Sequence, residues 1–229
     1  MGSLGAVMGR HARASGLLLA LVASLLTGCA TVTGTPTWPG ARLDKVLLTE
    51  DDFPPGVQFD RITETAGEPD GAGGPPAMLS TPRGCSDGLT QVIASTAERG
   101  PGSAAKYVVA YDGARIVMTV LTSKLPMDRL AAVADRCAHF QAFFDPSGPG
   151  IPITTTKVDG PRPDALAYQQ TMRLGGEDTS VYFSFENVGP MAVFGIALPV
   201  PNSSIAAKGT LPQTFLDIAT RQADRAQSS

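Results

Sequence analysis

Histidine, cysteine and aromatic residues are scarce in this sequence. Its 229 residues include two histidines, three cysteines and one tryptophan, and aromatic side chains make up only 6%. Zinc and copper sites are built mainly from histidine and cysteine, so the sequence offers little material for either metal. An excess of basic residues is also missing, because the formal net charge is −3. Nucleic-acid-binding domains need a basic face, so the composition argues against a nucleic acid partner.

The length and the apolar content are sufficient for one folded domain. Apolar residues make up 43% of the chain, and the 23.7 kDa mass can bury a substantial core. Glycine and proline, at 25 and 19 residues, exceed the average without reaching the level of a disordered chain. The composition therefore predicts a globular protein, but it does not indicate the fold.

The first thirty residues have the pattern of an export signal. Arg10 and Arg13 precede an apolar run over residues 17–26, and no acidic residue occurs before residue 29. A basic start, an apolar run and small residues at the end are typical of a secretory signal peptide. The run is shorter than the roughly 20 residues that a membrane-spanning helix needs. We therefore predict a signal peptide over residues 1–28.

The end of this segment, Leu26-Thr27-Gly28-Cys29, resembles the bacterial lipobox. The resemblance implies cleavage before Cys29 and attachment of diacylglycerol to its thiol. Two acyl chains suffice for stable membrane anchoring. We expect a lipid-anchored protein on the outer face of the cell membrane, with residues 29–42 as a tether. The alternative is an ordinary signal peptide in which Cys29 occurs by chance.

The two other cysteines, Cys85 and Cys137, are predicted to form a disulfide. An even number of cysteines in an exported protein favours pairing. Apolar residues recur at helical spacing around each of them, so two packed helices could bring them together. The alternative is two separately buried thiols.

The pattern of apolar residues and turns predicts an α+β domain over residues 43–226. Asp112-Gly113 between two alternating segments is a strong hairpin signal. Strands joined by short turns must be antiparallel. We therefore expect a single antiparallel sheet with two or three helices packed on one face. The predicted helices cover residues 84–99 and 126–143 and a segment that starts at Thr210, and the predicted strands cover residues 57–65, 106–111, 115–121, 151–158, 166–174, 179–187 and 191–198.

Catalytic motifs are weak, and we predict that the protein is not an enzyme. The segment from Ser103 to Lys106 matches the S-x-x-K motif of β-lactamases, but the motif must open a helix, whereas the residues that follow are strand-like. His139 is the only histidine beyond the predicted signal peptide, and we place it on the exposed surface of the second helix. No cofactor is expected. The alternative is an envelope hydrolase whose active site has no recognisable motif.

A lipobox and a tether precede the segment over residues 47–56, Leu47-Leu48-Thr49-Glu50-Asp51-Asp52-Phe53-Pro54-Pro55-Gly56, and the two cysteine segments follow it. This order of features resembles a family of small mycobacterial lipoproteins, and the resemblance continues to about residue 220. These lipoproteins are related to the extracellular sensor domains of PknH-type receptor serine/threonine kinases. It implies an α+β domain with a cleft that binds a ligand. The kinase sensors have two disulfides, whereas this chain can form only one.

We therefore expect a non-enzymatic envelope lipoprotein that binds a small ligand or a partner protein. The candidate cleft combines Tyr107 or Tyr111 of the hairpin with Tyr168 of a later strand. Tyrosine suits a partly hydrated cleft because it offers apolar area and one hydrogen bond. The alternative is that these tyrosines are ordinary residues of the core and its rim.

Overall fold

The protein forms a nine-stranded antiparallel sheet across the residues that the structure describes. The computed structural model describes residues 41–62, 78–97, 100 and 102–228. The strands are β1 (Gln58–Ile62), β2 (Leu79–Thr81), β3 (Ala104–Tyr111), β4 (Ala114–Leu121), β5 (His139–Phe143), β6 (Ile151–Val158), β7 (Leu166–Leu174), β8 (Glu177–Val188) and β9 (Met191–Leu198). Their order across the sheet is β1-β3-β4-β9-β8-β7-β6-β5-β2. The single antiparallel sheet predicted from the sequence is confirmed.

Short glycine turns join consecutive strands, as the sequence predicts. Asp112-Gly113 connects β3 to β4 and places Tyr111 opposite Ala114. Gly113 has a φ of 100°, a conformation that residues with a Cβ rarely adopt. A Cβ at this position would also lie only 2.7 Å from the carbonyl oxygen of Gly209. Glycine is therefore required at this turn by its backbone angle and by the neighbouring loop.

Four helices accompany the sheet within the described residues, and they divide between its two faces. They are α1 (Ala41–Asp44), α2 (Gly88–Thr96), α3 (Met127–Arg136) and α4 (Gln213–Gln227). Side chains of successive strand residues point to opposite faces. Val193 shares a buried cluster with α4, whereas the next residue, Phe194, shares a cluster with α2 and α3. The expected packing of the helices on one face is therefore replaced by helices on both faces.

Helix α4 packs on the face that carries Tyr107, Ile116 and Val193, which we call the α4 face. Gly195 of β9 permits this close approach. A Cβ at Gly195 would lie 2.6 Å from the ring of Phe215 and 2.8 Å from the sulfur of Met118. The Phe215 ring thus occupies the space that a side chain at residue 195 would fill.

Helices α2 and α3 pack on the opposite face, which we call the α2–α3 face. Leu89 of α2 and Leu130 of α3 are buried there with Phe185 and Phe194. Gly88 allows the two helices to meet, because a Cβ there would lie 2.9 Å from the Val133 side chain. None of the helices within the described ranges is long and apolar enough to cross a bilayer.

The segment after α3 differs from the sequence prediction. The predicted helix over residues 126–143 ends at Arg136, and His139–Phe143 forms β5. Buried Phe140 and Ala142 alternate with exposed His139 and Gln141, so the segment has the two-residue period of a strand. Pairing with β6 and β2 supplies the backbone hydrogen bonds that a longer helix would have made internally.

The other predicted elements are displaced mainly at their ends. The helix predicted over residues 84–99 is shorter, and the strand β2 was not predicted. All described residues lie within one compact unit, Thr37–Ser229. The predicted signal peptide, residues 1–28, lies outside the described residues. The predicted tether, residues 29–42, also lies outside them except for its last two residues.

The segment that precedes β1 is attached to α4 by one buried side chain. The Gln222 amide donates to the carbonyl oxygen of Val46 at 2.7 Å, and its oxygen accepts from the backbone N–H of Leu48 at 3.1 Å. Leu43, Leu47 and Leu48 are buried in the same cluster as α4. This contact fixes the first described residues against the last helix.

Candidate ligand-binding site

The three tyrosines proposed from the sequence do not line one cleft. Tyr107 and Tyr111 belong to β3 and lie on the α4 face, whereas Tyr168 of β7 lies in the cluster on the α2–α3 face. The register explains this separation, because pairing through β4, β9 and β8 places Tyr168 on the same face as Phe183 and Ile196. The sheet itself therefore separates the two groups of rings.

Tyr107 is a core residue. Its side chain is fully buried, and its ring stacks on Phe59 with 5.5 Å between centroids and contacts Phe53 at 6.1 Å. Loss of hydration raises the pKa of the Tyr107 hydroxyl. The positive charge of Arg221 opposes this effect, and the negative charge of Asp52 adds to it. The hydroxyl has no hydrogen-bond partner among the described residues. No ligand could reach it without opening the core.

Tyr168 is also buried, and it packs against Phe185 with 6.3 Å between ring centroids. Burial raises the pKa of its hydroxyl, and the negative charge of Asp135 adds to this effect. For Tyr107 and Tyr168 the structure therefore favours the alternative interpretation, in which they are ordinary core residues.

Tyr111 lies beside a pocket at the end of the β3–β4 hairpin. The pocket has a volume of about 160 Å³. Its floor includes Val108 and Ala110 of β3, and Ala110 is a small residue between two longer side chains on neighbouring strands, Gln58 and Arg115. A short side chain flanked by long ones leaves a depression in the sheet surface. The lining residues are Gln58, Asp60, Val108, Ala110, Tyr111, Ala114, Arg115, Val200, Asn202 and Ile205.

One wall of this pocket is the loop after β9, which is attached to the hairpin by hydrogen bonds. The Asp112 carboxylate accepts from the backbone N–H of Asn202 at 2.9 Å. The backbone N–H of Gly113 donates to the carbonyl oxygen of Val200 at 3.1 Å, and Asp112 exchanges backbone bonds with Ala207 and Gly209. Ile205 of the same loop is buried. The pocket wall is therefore built by specific contacts.

Two charged side chains of opposite sign line the pocket. Asp60 belongs to β1 and Arg115 to β4, and both side chains are exposed. Neither forms an ion pair or a side-chain hydrogen bond with another residue in the part of the chain that the structure describes. Other arginines have such partners: Arg61 pairs with Asp44, and Arg173 with Asp178. The two pocket charges are thus available to a bound molecule.

The predicted cysteine pair is present in the structure. Cys85 and Cys137 form a disulfide, and their Cα atoms are 5.4 Å apart. Cys85 lies shortly before the first residue of α2, Gly88, and Cys137 directly follows the last residue of α3, Arg136. Arg136 donates to the carbonyl oxygens of Arg83 and Gly84, which reinforces the same junction. The lipidation site Cys29 lies outside the described residues.

His139 is exposed, as predicted, but it lies on β5 and not on a helix. Its Nδ1 atom is 3.4 Å from the hydroxyl of Thr154, the residue opposite it on β6. Among the described residues, histidine, cysteine and acidic side chains form no group of three or more suited to a metal ion.

Comparison with known proteins yields one structural neighbour. The chain is similar to an uncharacterised protein of Mycobacterium smegmatis, an Rv0999 ortholog known from an X-ray structure. The identity is 14%, the similarity covers 82% of this chain and 95% of that chain, and the TM-score is 0.49. No protein-family model and no curated protein matches the sequence.

Proposed function

We propose that this protein is an exported lipoprotein whose domain binds a small ligand of the cell envelope without transforming it. Diacylglycerol on Cys29 would hold it at the outer face of the cell membrane. The signal-like segment and the lipobox support export and anchoring. The Cys85–Cys137 disulfide fits an oxidising compartment outside the cytoplasm. Binding of a partner protein is the other form of this proposal.

The pocket beside Tyr111 is the observation that carries the ligand-binding proposal. Ligand sites combine an apolar lining with a few polar groups that fix orientation. Here Val108, Ala110 and Ile205 supply apolar surface, and Asp60 and Arg115 supply charge. At about 160 Å³ the pocket is smaller than sites for drug-sized molecules, so we expect a small ligand.

The proposed relation to the sensor domains of PknH-type kinases rests on the motif over residues 47–56. In the structure this segment contains a capped turn, Glu50–Asp52, in which the backbone N–H of Thr49 donates to the Asp52 carboxylate at 2.8 Å. The motif therefore includes residues that fix the entry of the chain into the domain. If the relation holds, the domain of this protein senses or carries a ligand, as a sensor domain does.

A hydrolase remains the second candidate from the sequence, and it would need a reactive group in the pocket. Glu186 is a buried carboxylate whose pKa is raised by loss of hydration, which is a common feature of catalytic acids. Glu186 lies opposite Val193 on the α4 face, whereas Asp60 and Arg115 lie on the other face. This separation favours the binding proposal.

The ligand-binding proposal is tested by native mass spectrometry of the full chain purified from its own host. We expect a bound small molecule in the wild-type protein and its loss in Ala110→Phe, because the new ring fills the pocket floor. Ala132→Phe on the exposed surface of α3 is the matched control and should keep the ligand. An empty wild-type protein, or a folded Ala110→Phe variant that keeps the ligand, would contradict the proposal.

The anchoring proposal has a separate test. Cys29→Ala removes the thiol that would carry the lipid, so we expect the variant to move from the membrane fraction to the soluble fraction and to incorporate no labelled fatty acid. Wild-type protein without label, or a variant that stays with the membrane, would contradict it.

A further inference from the structure

The pocket beside Tyr111 presents a positive and a negative charge, and this pair indicates the chemistry of its ligand. This inference rests on the proposed function. Arg115 and Asp60 have no charged partner among the described residues, although several other arginines of the domain do. A molecule that binds in the pocket shields the Asp60 and Arg115 side chains from water. Each charge then gains from a partner of opposite sign.

The strand register places these two charges on opposite sides of the pocket floor. Asp60 on β1 is paired with Val108, and Arg115 on β4 is paired with Ala110. Strand β3 lies between them, so the two positions are offset by two strand spacings, roughly 10 Å, across the sheet and by two residues, roughly 7 Å, along it. A small molecule over Ala110 can therefore contact both.

The remaining lining suits a short aliphatic group. Val108, Ala110, Val200 and Ile205 provide apolar surface, and the pocket has a volume of about 160 Å³. Gln58 and Asn202 also line the pocket. The Asn202 amide oxygen already accepts from the N–H and the hydroxyl of Ser204, so Asn202 offers its NH2 group as a donor. The space accommodates a compact molecule with few side-chain carbons.

We propose that the pocket binds a small zwitterion, namely a free α-amino acid with a short aliphatic side chain. Arg115 binds the carboxylate, because the planar guanidinium matches a carboxylate with two parallel hydrogen bonds. Asp60 accepts from the ammonium group, and the aliphatic side chain lies on Val108 and Ala110. A simple carboxylate would leave Asp60 without a partner, and a simple amine would leave Arg115 without one.

Three probes with the same carbon skeleton test this proposal. L-Alanine carries both charges, propionate lacks the ammonium group, and ethylamine lacks the carboxylate. Each is titrated calorimetrically into the full-length chain in detergent. We expect L-alanine to bind at least tenfold more tightly than either of the other probes.

Charge-removing variants assign the two contacts. Arg115→Gln and Asp60→Asn should each weaken L-alanine binding at least tenfold. Arg129→Gln and Asp159→Asn remove an exposed charge of the same sign away from the pocket and should leave binding unchanged. Propionate should lose affinity in Arg115→Gln only.

The outcomes distinguish this inference from the function on which it rests. Equal affinity for propionate and L-alanine, or unchanged L-alanine binding in Asp60→Asn, would overturn the zwitterion and leave the pocket as an anion site. Absence of L-alanine binding in a protein that carries a host ligand sensitive to Ala110→Phe would overturn the ligand class alone. L-Alanine binding that survives Ala110→Phe, in a protein without a host ligand, would overturn the pocket proposal and the inference together.

Discussion

Gln222 shows how much one buried polar residue contributes to this fold. Its amide satisfies the carbonyl oxygen of Val46 and the N–H of Leu48 inside an apolar cluster. Gln222→Ala leaves both backbone groups buried without a partner, and each such group costs about 1–3 kcal/mol. We expect the free energy of unfolding in urea to fall by about 2–6 kcal/mol.

The control for Gln222 is another glutamine of the same helix. Gln213 is exposed at the start of α4, so Gln213→Ala should change the free energy of unfolding by less than about 0.5 kcal/mol. Similar stability of Gln222→Ala and wild type would show that the amide does not hold the entry segment.

Glu186 is a second buried polar residue, and its environment is less favourable. Its side chain pairs with Arg162 at 3.2 Å, but Arg162 is shared with Asp224, and one carboxylate oxygen of Glu186 has no partner among the described residues. Loss of hydration raises the pKa of Glu186. Arg162 opposes this effect, and the negative charges of Asp224 and Asp164 add to it.

A raised pKa in the folded state makes stability depend on pH. Between the unfolded pKa near 4.3 and the higher folded pKa, the folded state binds more protons, so the contribution of Glu186 to stability falls as pH rises. Glu186→Gln removes this titration. We expect the stability of the variant relative to wild type to increase from about pH 4 to about pH 7 in urea unfolding.

The exposed Glu177, at the start of β8, provides the comparison for Glu186. The difference in stability between Glu177→Gln and wild type should stay constant over the same pH range. Parallel pH profiles for Glu186→Gln and wild type would contradict the assigned environment of Glu186.

Among the secondary-structure elements, the contact between α4 and the sheet depends on Gly195. Because a Cβ there would meet the Phe215 ring and the Met118 sulfur, Gly195→Ala must displace the helix or distort its side chains. Overpacking of this kind costs about 1–3 kcal/mol. Relative to wild type, we expect Gly195→Ala to lower the melting temperature and to increase the rate of amide exchange more in α4 than in α3.

Gly148 is a suitable control for this substitution. A Cβ at Gly148 would lie 3.4 Å from its nearest neighbour, the carbonyl oxygen of Asp145, which is an ordinary contact. Gly148→Ala should therefore leave the exchange of α4 unchanged. Equal exchange of α4 in Gly195→Ala and wild type would contradict the close packing.

For the whole molecule, the disulfide is the strongest constraint on the unfolded chain. Cys85 and Cys137 are 52 residues apart, so the bond closes a long loop. The chain-entropy model gives a stabilisation of about 4 kcal/mol for a loop of this length. We expect Cys85→Ser/Cys137→Ser to unfold at lower urea concentration by a comparable free energy.

The single variants provide the control for the double cysteine variant. Cys85→Ser and Cys137→Ser each remove the cross-link, so their stabilities should be close to that of the double variant. A double variant as stable as the oxidised wild type would show that the loop contributes little to the entropy of the unfolded state.

The candidate site could be predicted only in part. The Asp112-Gly113 turn fixes the hairpin register, so Ala110 and Arg115 can be recognised as neighbours from the sequence. Asp60 could not be placed beside them, because β1 pairs with β3 across more than forty residues of chain. Asn202 and Ile205 belong to a loop whose position depends on contacts with the hairpin.

The sequence predicts correctly those features that depend on residues close together in the chain. The glycine turn at Asp112-Gly113 and the alternating segments of β3, β4, β6, β7 and β9 act over a few residues, and these strands form where predicted. The Cys85–Cys137 pair followed from the two cysteines that remain besides Cys29 in a chain predicted to be exported.

The tertiary structure alone decided which side chains meet. The face to which Tyr107 or Tyr168 points depends on the order of β3, β4, β9, β8 and β7, which joins segments far apart in the chain. The apolar residues of segment 139–143 are spaced in a way that suits either a helix or a strand. Pairing with β6 and β2 makes this segment a strand. Long-range hydrogen bonding resolved what local periodicity left open.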